Sequence, residues 1–212
     1  MYAGKPIIGI AGGIGSGKSF VAQLFREMGC YVIDSDQLVR EAYRDDAVKQ
    51  TLRGWWGDAI FRADGEINKS EIARRIFADP DEKKRLERLL HPMANDRRDV
   101  LMNSVKNDAQ VIAFAWDTPL LFETGLNRQC DAVVYVESPL DVRLDRVRQT
   151  RGWDRAELLR REKLQMPLDK KRELSDYVIR NTADAGDARS QVREVLSRIL
   201  AGSSKKQTPG NR

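Results

Sequence analysis

Gly12-Gly13-Ile14-Gly15-Ser16-Gly17-Lys18-Ser19 follows the spacing G-x-x-x-x-G-K-[ST] of a phosphate-binding loop. Working outward, residues 6–11 read Pro-Ile-Ile-Gly-Ile-Ala, a short apolar run suited to a buried strand. On the other side, Phe20, Val21, Leu24, Phe25 and Met28 share one helical face, and Gly29 can end that helix. Strand, glycine loop and helix form the context the motif needs. A chance glycine-rich turn would not carry both flanks.

The chemistry comes from the residue types. Glycines let the backbone wrap closely and turn N–H groups inward toward an anion. The next helix adds the partial positive charge of its N-terminus. Gly13, Ile14, Gly15, Ser16, Gly17, Lys18 and Ser19 are therefore the expected nucleotide contacts. Lys18 is suited to the β/γ-phosphates, and the Ser19 hydroxyl to Mg²⁺. ATP and Mg²⁺ are the expected cofactors.

A chain of 212 residues can hold one large domain or a core with insertions. Its formal charge of +5 suits anionic partners such as nucleotides, a phosphorylated cofactor or nucleic acid. Cys30 and Cys130 form no C-x-x-C pair and no metal cluster with His91. Each sits at the edge of an apolar run, so buried free thiols in a reducing compartment are expected. No signal peptide precedes the first strand and no apolar run is long enough to span a membrane. A soluble cytoplasmic protein is expected, a monomer or weak homo-oligomer.

The next strand is Cys30-Tyr31-Val32-Ile33, ending in Asp34-Ser35-Asp36, with a helix from Gln37 to about Tyr43. Residues 44–109 then read as charged amphipathic helix. Leu52, Trp55 and Trp56 cluster before a turn at residues 62–65. Helices are expected over residues 68–77 and 81–90, broken by Asp79-Pro80 and punctuated by His91-Pro92. The runs 111–116, 132–136 and 177–179 are core strands. Residues 138–175 are rich in arginine and lysine, residues 190–200 form an amphipathic closing helix, and residues 201–212 read as a mobile tail. Strands alternating with helices predict a doubly wound parallel sheet. The expected architecture is an α/β three-layer P-loop NTPase fold. Residues 1–43, 110–137 and 176–200 make its core, 44–109 a helical insertion and 138–175 a helical lid.

The chain has no D-x-x-G, and Asn68-Lys69-Ser70-Glu71 replaces the aspartate of N-K-x-D, which argues against a GTPase. A small-molecule kinase fits the length. Such an enzyme must hold ATP, align an acceptor hydroxyl, stabilise the transferring charge and exclude water. Ligands of open parallel sheets collect at the strands' carboxyl ends, where Asp34, Asp36 and Asp117 fall. An aspartate after the second strand can take a hydroxyl proton or hold Mg²⁺ through water, and one of Asp34 and Asp36 can cap the next helix instead. Most arginines in residues 143–161 are a solvated surface. One or two serve the phosphates, and Arg148 and Arg151, nearest the Gly152 break, are the candidates. His91 reads equally as a structural helix-end residue or a substrate contact. Trp55 and Trp56 read as core.

Several further motifs stand in order: Val32-Ile33-Asp34-Ser35-Asp36, Trp56-Gly57, Asp64-Gly65-Glu66-Ile67, His91-Pro92, Asp117-Thr118-Pro119-Leu120-Leu121-Phe122-Glu123, Gln165-Met166-Pro167 and Asp176-Tyr177-Val178-Ile179-Arg180-Asn181. With the loop at 12–19 they resemble the dephospho-coenzyme A kinase family over nearly the whole chain. The resemblance implies ATP-dependent phosphorylation of the ribose 3′-hydroxyl of dephospho-coenzyme A, a small-molecule partner rather than nucleic acid or membrane. It implies Asp36 as general base, residues 44–109 as the acceptor domain, and Asp117 with Pro119 and Leu120 on the acceptor side. Asn181 would lie near adenine, and His91, within the His-Pro motif, is carried as a candidate substrate contact. The chain departs from the family in carrying Lys69 where an arginine is usual, and in a one-residue difference between Arg146 and Gly152. The residues also admit a nucleoside or nucleoside-monophosphate kinase, which leaves Pro119 to Glu123 unexplained. A nucleic-acid-binding NTPase would need a recognition element that the sequence lacks.

Overall fold

The apolar runs become five parallel strands: β1 (Ile7–Gly12), β2 (Cys30–Asp34), β3 (Ala113–Asp117), β4 (Ala132–Glu137) and β5 (Tyr177–Arg180). Their order across the sheet is β2-β3-β1-β4-β5, parallel at each pairing. This computed structural model describes residues 1–182 and 185–206. Near-continuous apolar sequence in β1, β3 and β4 reflects strands covered on both faces. Helix α1 (Lys18–Glu27) and the closing helix α9 (Ala185–Lys206) cover one face. There Val21, Leu24 and Phe25 pack with Val192, Val195, Leu196 and Ile199 onto Ile8, Ile10 and Val134. On the other face Leu121 closes down on Gly9, where a Cβ would come within 2.7 Å of its side chain. The expected parallel α/β sheet is therefore the one observed.

Strand register sets the carboxyl edge of the sheet. Ile10 pairs with Asp117, and Asp117 pairs with Asp34. Two carboxylates therefore stand side by side at that edge, next to the strand that runs into the glycine loop.

The chain divides into two compact units, Met1–Asp34 with Ser104–Arg212, and Ser35–Asn103. The second begins before residue 44, where the sequence pattern changes. The reason is α2 (Ser35–Ala42), whose Ala42 is buried with Val48, Leu52, Ile60 and Ile72. It also ends before residue 109, since residues 104–112 lead back to the sheet, where the Ile112 N–H donates to the Gly29 carbonyl at 3.0 Å. Within this unit lie α3 (Asp46–Trp56), α4 (Lys69–Ala78) and the start of α5 (Pro80–Val105). Asp45 caps α3 and Asn68 caps α4. Trp55 and Trp56 are half-buried and meet edge to face at 5.8 Å.

Two expectations are corrected. His91-Pro92 does not end a helix: α5 continues through Pro92 to Val105. A proline inside a helix removes one hydrogen bond at roughly 3 kcal/mol. Here Pro92 and Arg88, the residue four positions before it, are both exposed. Leu86, Leu90, Ala94, Arg98 and Met102, four residues apart, form a buried stripe that keeps the helix continuous. Residues 201–206, expected as tail, continue α9. The remainder of that tail, 207–212, lies outside the described residues. Both cysteines are thiols, as expected. Burial pushes the Cys30 thiol up to about 12, but Cys130 is only half-buried.

The arginine-rich segment forms α6 (Leu140–Arg151), α7 (Arg155–Glu162) and α8 (Leu168–Glu173). Its far end is pinned by Lys171, a fully buried lysine whose ammonium pairs with Glu123 at 2.9 Å and donates to Gln165 at 3.0 Å. Glu123 also accepts the Met166 N–H at 2.9 Å. A buried lysine is tolerable only with such partners.

Candidate active site

The loop between β1 and α1 takes its shape from two left-handed residues, Gly15 (φ 76°) and Gly17 (φ 83°). A Cβ at Gly17 would lie 2.1 Å from Asn181 Nδ2, and one at Gly15 would lie 2.7 Å from the Arg143 carbonyl oxygen. Helix α1 starts with no side-chain cap and no acidic residue in its first turn. Its leading amides, which have no acceptor within the helix, are thus left to an anion. Ser16 Oγ is buried and has no hydrogen-bond partner among the described residues. A cradle of uncapped amides with a spare hydroxyl fits a phosphate group.

A cavity of about 560 Å³ opens on this loop. Gly15 to Phe20 line it, together with Arg146, Thr150, Arg151, Asn181 and Thr182. Of the two arginines expected at the phosphates, Arg151 is in the lining. Arg148 is exposed and leans toward Asp145 at 3.7 Å. Asn181 is buried, lines the cavity and donates from Nδ2 to the Ser16 carbonyl at 2.7 Å. Ser19 Oγ donates to Asp117 Oδ2 at 2.7 Å. Asp117, expected on the acceptor side, is thus held against the loop's serine. A hydroxyl and a carboxylate so placed form the oxygen donor pair that a Mg²⁺ ion takes beside a phosphate loop. Among the described residues no group of three or more His, Cys, Asp or Glu gathers as a protein-only metal cage.

Two arginines outside the expected set hold the loop by its carbonyl oxygens. Arg143, almost fully buried, donates to the Ile14 carbonyl at 3.2 Å and pairs with Glu162. Arg146 Nη1 donates to the Ser16 carbonyl at 3.1 Å and to the Gly15 carbonyl at 3.4 Å, while its Nη2 donates to the Thr182 carbonyl at 2.9 Å. Burial lowers the Arg146 pKa from its ordinary value, yet a guanidinium remains charged in proteins. One sequence signal could have found them. Arg143, Arg146 and Val147 lie on one face of α6, and Val147 is the apolar residue that marks the inward side.

The second unit has its own cavity, of about 520 Å³. Arg40, Tyr43, Arg44, Arg62 and Lys69 line it with Gln37, Glu41 and Glu66. Arg62 pairs with Asp64 at 3.1 Å and Glu66 with Lys49 at 2.7 Å. Neither Arg44 nor Lys69 has an ion-pair partner among the described residues. Burial pushes the Tyr43 phenol up to about 12, so at neutral pH it is a hydrogen-bond donor. Asp36 stands in the first turn of α2, exposed, one residue before Gln37 of this lining. His91 is on the exposed side of α5 and outside this lining. Pro119 and Leu120 are half-buried just beyond β3 and outside the lining of the loop cavity.

Gly17 gives a direct test of the loop. In Gly17→Ala the methyl must push Asn181 off the Ser16 carbonyl and hold a left-handed φ that costs about 1–2 kcal/mol. The melting temperature is expected to fall by roughly 2–8 °C, and calorimetry should show loss of ATP binding. An unchanged ATP affinity would mean that this geometry does not serve the nucleotide.

Known proteins resemble this chain over most of its length. The dephospho-CoA kinase family profile matches residues 6–187. A dephospho-CoA kinase of Syntrophotalea carbinolica is 34% identical over 198 residues, covering 92% of this chain and 93% of its own. A crystal structure from Thermus thermophilus, titled TT1252, superposes with a TM-score of 0.78 at 33% identity, covering 92% of this chain and 97% of the other. The dephospho-CoA kinase of Campylobacter jejuni shares the fold, with a TM-score of 0.68 at 20% identity over 93% of this chain and 98% of its own. A phosphate loop with its serine on a strand-end aspartate, and a match spanning both units, lead to one assignment: the chain belongs to the dephospho-CoA kinase family.

Proposed function

We propose that the chain transfers the terminal phosphoryl group of ATP to the ribose 3′-hydroxyl of dephospho-CoA, giving CoA and ADP. The observation that carries this reading is the uncapped loop with Ser19 on Asp117, in a chain that the family profile matches over residues 6–187. The loop amides and Lys18 bind the β/γ-phosphates. Ser19 and Asp117 hold Mg²⁺, which supplies neutralisation of phosphate charge. Asp36 accepts the proton of the attacking hydroxyl. Arg151 reaches the transferring group, with residues 138–175 as the lid that excludes water. Asn181 borders the nucleotide's base end. His91, Pro119 and Leu120 enter this reading only through the family resemblance.

The acceptor carries a pyrophosphate, and the cation-lined cavity of the second unit suits it. Arg44 and Lys69 offer charge not already committed to a carboxylate, and Tyr43 offers a neutral donor. This supports residues 44–109, extended back to α2, as the acceptor domain. Lys69→Ala is expected to raise the KM for dephospho-CoA about 3- to 10-fold, with the KM for ATP unchanged. Lys69→Arg should retain or improve the acceptor KM, since the guanidinium adds a second parallel donor. A rise in ATP KM instead would detach Lys69 from the acceptor.

The decisive assay incubates the purified chain with ATP, Mg²⁺ and dephospho-CoA and looks for CoA by mass. A parallel panel of nucleosides and nucleoside monophosphates reads ADP release. Turnover confined to that panel would make the chain a nucleotide-precursor kinase. ADP release stimulated by DNA or RNA would make it a nucleic-acid-dependent NTPase. Among the described residues no helix is long and apolar enough to cross a membrane.

A further inference from the structure

Three residues, Gly152 to Asp154, join α6 to α7. Gly152 turns the chain in a left-handed conformation (φ 67°). The Trp153 N–H donates to the Val147 carbonyl at 3.3 Å, and Asp154 caps α7 by accepting the Glu157 N–H at 2.8 Å. The backbone of Trp153 is thus tied to the end of one helix and the start of the next. Its ring meets two guanidinium groups, one from each of these helices. The Arg151 carbon Cζ lies 4.8 Å from the ring centroid and that of Arg161 lies 4.1 Å away. Arg161 is in turn held by Glu157, whose carboxylate accepts its Nε–H at 2.6 Å. Bonds from Arg160 first, and then Arg161, pull the Glu157 pKa down to about 2. The arrangement therefore stays charged across the neutral range.

Arg151 is a long side chain on an exposed helix end, and it lines the cavity of the phosphate loop. Without support such a side chain samples many rotamers, and ordering it at a ligand costs entropy. The face of an indole attracts a guanidinium and restricts it. We infer that Trp153 is a positioning residue: its ring, steadied by Arg161 and Glu157, holds the Arg151 guanidinium at the mouth of the loop cavity for the terminal phosphate of the bound triphosphate. This rests on the proposed role of Arg151.

The test compares Trp153→Phe and Trp153→Leu, each in the native and the Arg151→Ala background. MgATP and MgADP binding are measured by calorimetry on the full chain. Trp153→Leu keeps apolar bulk but loses the π face. It should weaken ATP binding about 3- to 10-fold and leave ADP binding within about twofold. Trp153→Phe should stay within about twofold for both. In the Arg151→Ala background the leucine change should have no further effect. The inference is overturned by an equal loss for ADP and ATP, by phenylalanine as damaging as leucine, or by the same loss without Arg151. Trp153→Met serves as a second ring-free variant, with the same expectations, should the leucine form not fold. These titrations contain no acceptor, so a failure of the dephospho-CoA assignment would leave their outcome readable.

Discussion

Asp36→Asn lowers kcat by about 10²- to 10⁴-fold, the range that a positioned general base contributes, while ATP binding stays within about twofold. The two side chains have nearly the same shape, so the substitution removes a proton acceptor and little else. Asp36 lies in the first turn of α2 and is exposed. Turnover is followed as ADP release at saturating dephospho-CoA, and affinity by calorimetry with MgATP. A kcat within threefold of the parent would take Asp36 out of the proton transfer. A parallel loss of ATP affinity would mean that it acts on the nucleotide instead.

Lys18→Ala is expected to lower kcat/KM for ATP by about 10²- to 10³-fold, the scale found when one preorganised donor to a developing charge is removed. Lys18 opens α1 and lines the loop cavity. Truncation therefore deletes a cation where the leading amides already concentrate positive potential. Half-buried at a helix end, it contributes little to the core. The melting temperature should move by no more than a few degrees. Near-parental kinetics at unchanged stability would contradict its assignment to the phosphates.

What the sequence discloses here is what it encodes locally. The loop at 12–19, the strand runs and the caps Asp45 and Asn68 are written in short spans, each with one physical reading. Pairings across the sheet are not. Ser19 and Asp117 are 98 positions apart, and only the parallel register of β1 with β3 brings them together. The residues alone place Asp117 at the sheet's carboxyl edge, and the family resemblance assigns it to the acceptor side; its bond to Ser19 is visible only in the fold. The arginines show a second limit. Counting them by nearness to Gly152 selects Arg148, which follows the inward Val147 by one position and so faces solvent. Counting by helix face selects Arg143 and Arg146. At Pro92 a correct local rule yields to a buried stripe that no short window contains.

The guanidinium groups of Arg143 and Arg146 and the amide of Asn181 all attach to carbonyl oxygens of the glycine loop, those of Ile14, Gly15 and Ser16. The Ile14 and Ser16 oxygens share peptide units with the N–H groups of Gly15 and Gly17, whereas the Ser16 N–H, coupled to the Gly15 oxygen, donates to the Gly13 carbonyl at 3.1 Å. Drawing electron density toward the oxygen makes the coupled N–H a stronger donor. These groups thereby sharpen the anion grip through the peptide bond, Arg146 and Asn181 from the cavity's own wall and Arg143 from outside its lining.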